Sequence, residues 1–224
     1  MTSFFIKYDK NFKAVSSAVN LGGTTPMEGI YWDGFFFWIC QGSNIKKYFL
    51  RNRTMYLIKT LDLSAILGDV TDYPKCITGD GLHLFVGLSY GVGFPTLARE
   101  SIIKITKDGK LLKNYTSAVR NSPENEYEGL TYDGLKVYGS YSDGGTPNTS
   151  YIKALDITHD KADNIYSDTR AIISLDTNGQ QWIFGRSNNL WIFDKDISVP
   201  ISLGATARAA RGLCNDGEYW YMVA

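Results

Sequence analysis

Four charged side chains recur at one place in this chain. Glu28, Lys75, Glu128 and Arg211 each stand six residues before a glycine, in Glu28-Gly-Ile-Tyr-Trp-Asp-Gly34, Lys75-Cys-Ile-Thr-Gly-Asp-Gly81, Glu128-Gly-Leu-Thr-Tyr-Asp-Gly134 and Arg211-Gly-Leu-Cys-Asn-Asp-Gly217. A fifth copy, Ile173-Ser-Leu-Asp-Thr-Asn-Gly179, puts isoleucine there, with Arg170 as the other candidate for the position. Two acids and two bases of alternating sign suit hydrogen bonding to a polar ligand, such as a sugar or a carboxylate-bearing group. They are equally suited to pairing with one another at a partly wet surface. Two carboxylates can also hydrolyse a glycosidic bond, with Glu28 and Glu128 as acid/base and nucleophile, although the lysine between them works against a general acid.

The remaining reactive residue types do not group. The chain has only two histidines, His83 and His159, both expected away from the charged positions, so a Ser-His-Asp or Cys-His nucleophile is not expected. Zinc-ligand spacing and a phosphate-binding glycine loop are missing, and neither a metal nor a cofactor is expected. Asp156, Asp160, Asp163 and Asp168 lack the glycine and final glutamate of an EF-hand and read as a solvated acidic loop. Cys40, Cys76 and Cys214 cannot all pair and are expected as buried free thiols. Asn52-Arg-Thr, Asn114-Tyr-Thr and Asn148-Thr-Ser match a glycosylation sequon, a pattern short enough to recur by chance.

The elements that would position the charges follow from the turns. Asp-Gly or Asn-Gly between short runs of Ile, Val, Tyr, Phe and Trp is a strong hairpin signal, because both turn residues tolerate positive φ. The outgoing strands Phe35–Cys40, Leu82–Gly87, Leu135–Gly139, Gln180–Phe184 and Glu218–Val223 are apolar on both faces in several copies, as expected of strands between packed sheets. Third strands open with Ile45-Lys46, Ile103-Lys104 and Ile152-Lys153, each followed by a turn and a fourth strand. The fifth copy ends after its second strand, while the N-terminal segment from Phe4 to Phe12 matches the third-strand half of a copy, Ile102 to Leu111. First and last segments must therefore pair and close a circle. Turn glycines 34, 81, 134, 179 and 217 recur at intervals of roughly 40 to 50 residues, the length of a four-stranded blade.

This repeat of Gly-apolar-x-x-Asp-Gly followed by an aromatic strand resembles the β-propeller superfamily over essentially the whole chain. The fold expected is all-β: one five-bladed β-propeller domain over residues 1–224, of four-stranded antiparallel blades, closed by N-terminal strands that complete the C-terminal blade. The resemblance implies that the charged positions ring one mouth of a central channel. The connections between second and third strands reach that same face. Two of them are long, Ser89 to Arg99 and Ser142 to Ser150, and they offer Tyr90, Phe94, Asp143 and Asn148 to a partner. Tyr73 and Tyr127, just ahead of two of the charged residues, are candidates either for stacking at the mouth or for packing between blades.

Composition narrows the partners. Lys plus Arg and Asp plus Glu are 23 each and the pI is near 6.7, so no chain-wide field favours nucleic acid. No apolar run reaches the roughly 18 residues of a membrane helix, and the polar start around Lys7 and Asp9 does not read as an export signal, so a soluble chain is expected. A propeller of this size resembles lectins and surface attachment proteins. The expectation is a non-enzymatic module that recognises a glycan or protein, on a virion or other surface. A carboxylate-dependent glycoside hydrolase is one alternative. The other is a structural component of an oligomer or larger assembly, docking through an outer strand such as Met55–Ile58.

Overall fold

Four Asp-Gly pairs, at Gly34, Gly81, Gly134 and Gly217, close the inner hairpins by the same chemistry. The glycine takes a left-handed conformation, with φ of 99° at Gly34, 84° at Gly81, 99° at Gly134 and 92° at Gly217. The preceding aspartate caps the turn: one oxygen of Asp33 accepts from the N–H groups of Phe35 and Phe36 at 3.0 and 2.8 Å, and Asp80, Asp133 and Asp216 repeat the arrangement. The second oxygen reaches the outgoing strand, accepting from Trp38 Nε1 in one copy and from the hydroxyls of Tyr138 and Tyr221 in two others. The repeated Asp thus ties the turn to the aromatic residue five positions on.

The computed structural model describes residues 3–21, 25–67, 72–90, 101–116, 126–142, 149–159, 161–168, 172–177, 181–186, 189–194, 201–205 and 210–224. The chain opens with β1 (Phe4–Tyr8) and β2 (Val19–Asn20). The first blade is β3 (Met27–Trp32), β4 (Phe37–Gln41), β5 (Asn44–Arg51) and β6 (Thr54–Asp62), followed by the single helical turn α1 (Ser64–Leu67). The second is β7 (Asp72–Gly79), β8 (His83–Tyr90), β9 (Ser101–Thr106) and β10 (Leu111–Thr116). The third is β11 (Glu126–Tyr132), β12 (Val137–Ser142), β13 (Ser150–Asp156) and β14 (Lys161–Asp168). The fourth is β15 (Ser174–Thr177), β16 (Gln181–Arg186), β17 (Asn189–Asp194) and β18 (Ile201–Ala205), and the chain ends with β19 (Gly212–Asn215) and β20 (Trp220–Val223).

Four sheets are antiparallel meanders of consecutive strands, and the fifth has the order β19-β20-β1-β2. β1 pairs with β20 from Phe5↔Val223 to Tyr8↔Trp220, and Phe4 and Ala224 exchange both backbone hydrogen bonds at 3.0 Å. The N-terminus therefore completes the C-terminal blade, as the matching half-repeat implies. The innermost strands touch in a closed circle, β3 to β7 to β11 to β15 to β19 and back to β3. This is a five-bladed β-propeller.

The core is divided among the five junctions between blades. Trp38, Ile45, Leu84 and Ile103 pack between the first and second blades, Phe85, Tyr127 and Val137 between the second and third, and Ile152, Trp182 and Phe184 between the third and fourth. Ile183, Leu213 and Met222 fill the next junction, and Phe5, Phe37, Ile39 and Tyr221 close the ring. Second strands explain the need for two apolar faces: all of Phe37–Gln41 and all of Trp220–Val223 are buried. All three cysteines are buried and free. Among the described residues no helix is long and apolar enough to cross a membrane.

Candidate functional site

In four blades the inner strand runs from its charged residue to its Asp-Gly turn, and in the fourth blade Ile173 stands just ahead of β15, so the five equivalent positions collect at one mouth of the channel and the four Asp-Gly turns at the other. The charged side chains owe their aim to bulges. Strand pairing slips between Met27 and Ile30, between Pro74 and Cys76, and between Tyr127 and Gly129, so that Glu28, Lys75 and Glu128 each fall within an unpaired step. In the other two blades Ile173 N–H and Arg211 N–H donate to the carbonyls of Gly185 and Val223, which are already opposite Ser174 and Gly212. That is the same two-against-one arrangement, and a bulge turns a side chain away from the regular alternation of the strand. Nothing in the residue types announced it beyond the glycine that follows three of the five positions.

The ring sorts into two cross-blade pairs. Lys75 Nζ donates to Glu128 Oε1 at 2.7 Å between the second and third blades. Arg211 Nη1 donates to both oxygens of Glu28, at 2.7 and 2.9 Å, between the fifth and first. The two carboxylate side chains retain 15 and 21% of their exposure, and Arg211 retains 37%. Ile173 occupies the fourth position, half-buried, between the two pairs. The mouth is thus charged on four blades and apolar on one. Arg170 lies outside the described residues, as do Phe94, Asp143 and Asn148 and the side chain of Tyr90 at the end of β8.

Tyr127 is buried between blades and does not line the mouth, whereas Tyr73 is partly exposed. His83 and His159 sit at turns, each with Nδ1 against an aspartate, Asp80 at 3.0 Å and Asp156 at 2.8 Å. His83 is therefore at the far end of the second blade from Lys75. Asp156 caps the β13–β14 turn by accepting from Thr158 and His159 N–H, and among the described residues no cluster of acids, cysteines and histidines is arranged to hold a metal.

One polar group that motif reading passed over lies deeper in the ring. Asp176 of the fourth blade is buried and accepts from Thr131 Oγ1 of the third at 2.8 Å and from Asn215 Nδ2 of the fifth at 2.6 Å. Burial pushes its carboxyl up to about 6, and the donations from Asn215 and Thr131 offset only part of that. A carboxylate joining three blades was hidden in the sequence because its copy lacks the Asp-Gly spelling and its partners are some 40 residues away on either side. A second tie between blades is Tyr31, whose hydroxyl accepts from Gly81 N–H at 3.3 Å and whose burial raises its pKa to about 12.

No protein-family model matches this chain, and no curated protein sequence matches it. Solved structures do. The chain is similar over its whole length to 98% of a putative TolB from Agrobacterium tumefaciens, with 11% identity and a TM-score of 0.56. It is similar at a TM-score of 0.51 to part of the extracellular domain of a putative hybrid two-component system from B. thetaiotaomicron, with 13% identity over 97% of this chain and 29% of that one. A chain of the mitotic checkpoint complex aligns with 84% of this chain at 12% identity and a TM-score of 0.51, and this chain spans about half of it, 54%. At such identities the likeness is one of fold.

Proposed function

We propose that this propeller is a recognition module that binds a polar ligand, a glycan before a protein surface, at the charged mouth. The reading rests on one observation: four of the five equivalent inner-strand positions are charged and partly exposed, while the fifth, Ile173, is apolar. A sugar presents hydroxyls around an apolar ring face, and a mouth with carboxylates and cations beside one aliphatic side chain matches both. The hydrolase alternative is less well supported, because it requires Glu28 or Glu128 to hold a donatable proton and each instead accepts from a cation at 2.7 Å.

A glycan array run with the wild type and with a Glu28→Gln/Glu128→Gln variant tests the proposal. Glycan binding that falls about tenfold or more in the variant is expected. Binding indifferent to both substitutions would move the site elsewhere, and release of reducing sugar that either single substitution abolishes would replace recognition by hydrolysis. An assembly role is a second reading, favoured by the outer strand of the first blade. Tyr56, Leu57 and Ile58 of β6 are 50, 52 and 54% exposed on an edge that pairs with no strand among the described residues. Sedimentation of the wild type beside a Leu57→Lys/Ile58→Lys variant separates it: self-association lost in the variant supports docking through that edge.

A further inference from the structure

A cavity of about 430 Å³ opens at the seam where the closing blade meets the first blade. It lies beside the turn at Gly217 and the β5–β6 turn, hence on the face opposite the charged mouth. Its walls carry two cations, Lys7 and Arg53, with Asn52 beside them, against a floor that includes Val19, Leu50 and the ring of Tyr219. Lys7 Nζ rests 3.3 Å from the centroid of that ring, so its ammonium is held toward the cavity wall by a cation–π contact. Among the described residues no carboxylate makes an ion pair with Lys7 or Arg53. The acids of this region act on Tyr219 instead: Glu218 foremost, then Asp216 and Asp9, raise its pKa.

The turn that supplies Arg53 is an independent pointer. Asn52 and Arg53 have φ of 49° and 63°, the two-residue hairpin geometry in which asparagine followed by glycine is favoured. An arginine at the second position holds a left-handed conformation that glycine would adopt freely, and such backbone outliers gather at ligand sites. Here it delivers a guanidinium to the rim of a cavity that already holds an ammonium.

We propose that this seam is a binding site for a small organic anion, one carboxylate carried on an apolar body, with the carboxylate between Lys7 and Arg53 and the body on Leu50, Val19 and Tyr219. Two cations with an aliphatic and aromatic floor select against inorganic phosphate, which lacks the body, and against a neutral isostere, which lacks the charge. The site is separate from the charged mouth, so Glu28→Gln/Glu128→Gln leaves it untouched.

Calorimetric titration with naphthylacetate, naphthylacetamide, glucuronate and inorganic phosphate tests it, on the wild type and on Arg53→Gly and Lys7→Gln. Saturable binding of naphthylacetate, about tenfold or more tighter than that of the amide, phosphate or glucuronate, is expected. Arg53→Gly is decisive, because it removes the guanidinium while relaxing the turn: affinity falls about tenfold or more and the urea midpoint holds or rises. Lys7→Gln weakens binding similarly. Naphthylacetate that binds no better than its amide, or equally well to Arg53→Gly, overturns the site, and tighter binding of glucuronate overturns the apolar body.

Discussion

Asp176 sets the pH dependence expected of this protein at the scale of single residues. Its carboxyl titrates near 6 when folded, against an ordinary 3.8, so the folded protein binds a proton there more readily than the unfolded chain. Stability therefore falls as pH rises between about 4 and 6, by about 3 kcal/mol at the full shift, and stays at the lower level above that. Asp80 has the opposite sign. Burial pushes it up, yet donations from the His83 ring, the His83 and Leu82 N–H groups and Lys104 outweigh this and hold it near 2, so its contribution is lost only as pH falls below about 4. The two windows do not overlap, which makes Asp176 separable. Asp176→Asn keeps an oxygen for Asn215 and places an amide against the Thr131 hydroxyl, which can turn to accept. Urea midpoints measured from about pH 4 to pH 8 are expected to fall across the window in the wild type and to stay flat in Asp176→Asn; equal slopes would remove Asp176 as their source.

At the scale of elements, what matters is how closely the inner strands approach. A Cβ added at Gly129 would stand 2.4 Å from Leu175 N and under 3 Å from the Ser174 backbone, and Gly29 and Gly212 face the next inner strand as tightly. These glycines follow Glu128, Glu28 and Arg211, so the residue that lets blades meet at the channel also anchors the bulge that aims the charge. Gly134 differs: nothing lies within 4 Å of its added Cβ, but its φ of 99° is one that other residues resist. Gly129→Ala is accordingly expected to cost more than Gly134→Ala in urea unfolding, about 1 to 3 kcal/mol for displaced backbone against about 1 kcal/mol for a strained turn. The reverse order would mean that the ring has slack at the mouth. The turns were legible in the sequence because Asp-Gly between apolar runs is a local signal, and the charged positions followed by counting back from them. The bulges were not, since slippage in pairing depends on a partner strand; nor was the seam cavity, whose walls come from opposite ends of the chain.

For the molecule as a whole, stability depends on ring closure by a strand that comes first in the chain. β1 joins both junctions of the closing blade: Phe5 packs with Phe37 and Tyr221 toward the first blade, and Ile6 and Tyr8 pack with Ile183 and Trp220 toward the fourth. All three are buried, and each is worth about 1.5 to 3 kcal/mol on burial. Their loss together is comparable to the 5 to 15 kcal/mol that holds a typical domain folded. Deleting residues 1–15 would also leave β20 paired with β19 alone, and the closing blade would meet its neighbours with two inner strands and without the packing of β1. The truncated chain is expected to lose cooperative thermal unfolding. A peptide of residues 1–21 added in trans should restore it, because β1 makes its contacts through pairing with β20 and side-chain packing on either side, not through the covalent link to β3. Restoration that depends on peptide concentration and fails with a Phe5→Asp peptide is the expected pattern. A truncated chain that melts cooperatively at the wild-type temperature without peptide would instead require a ring that closes without its first strand.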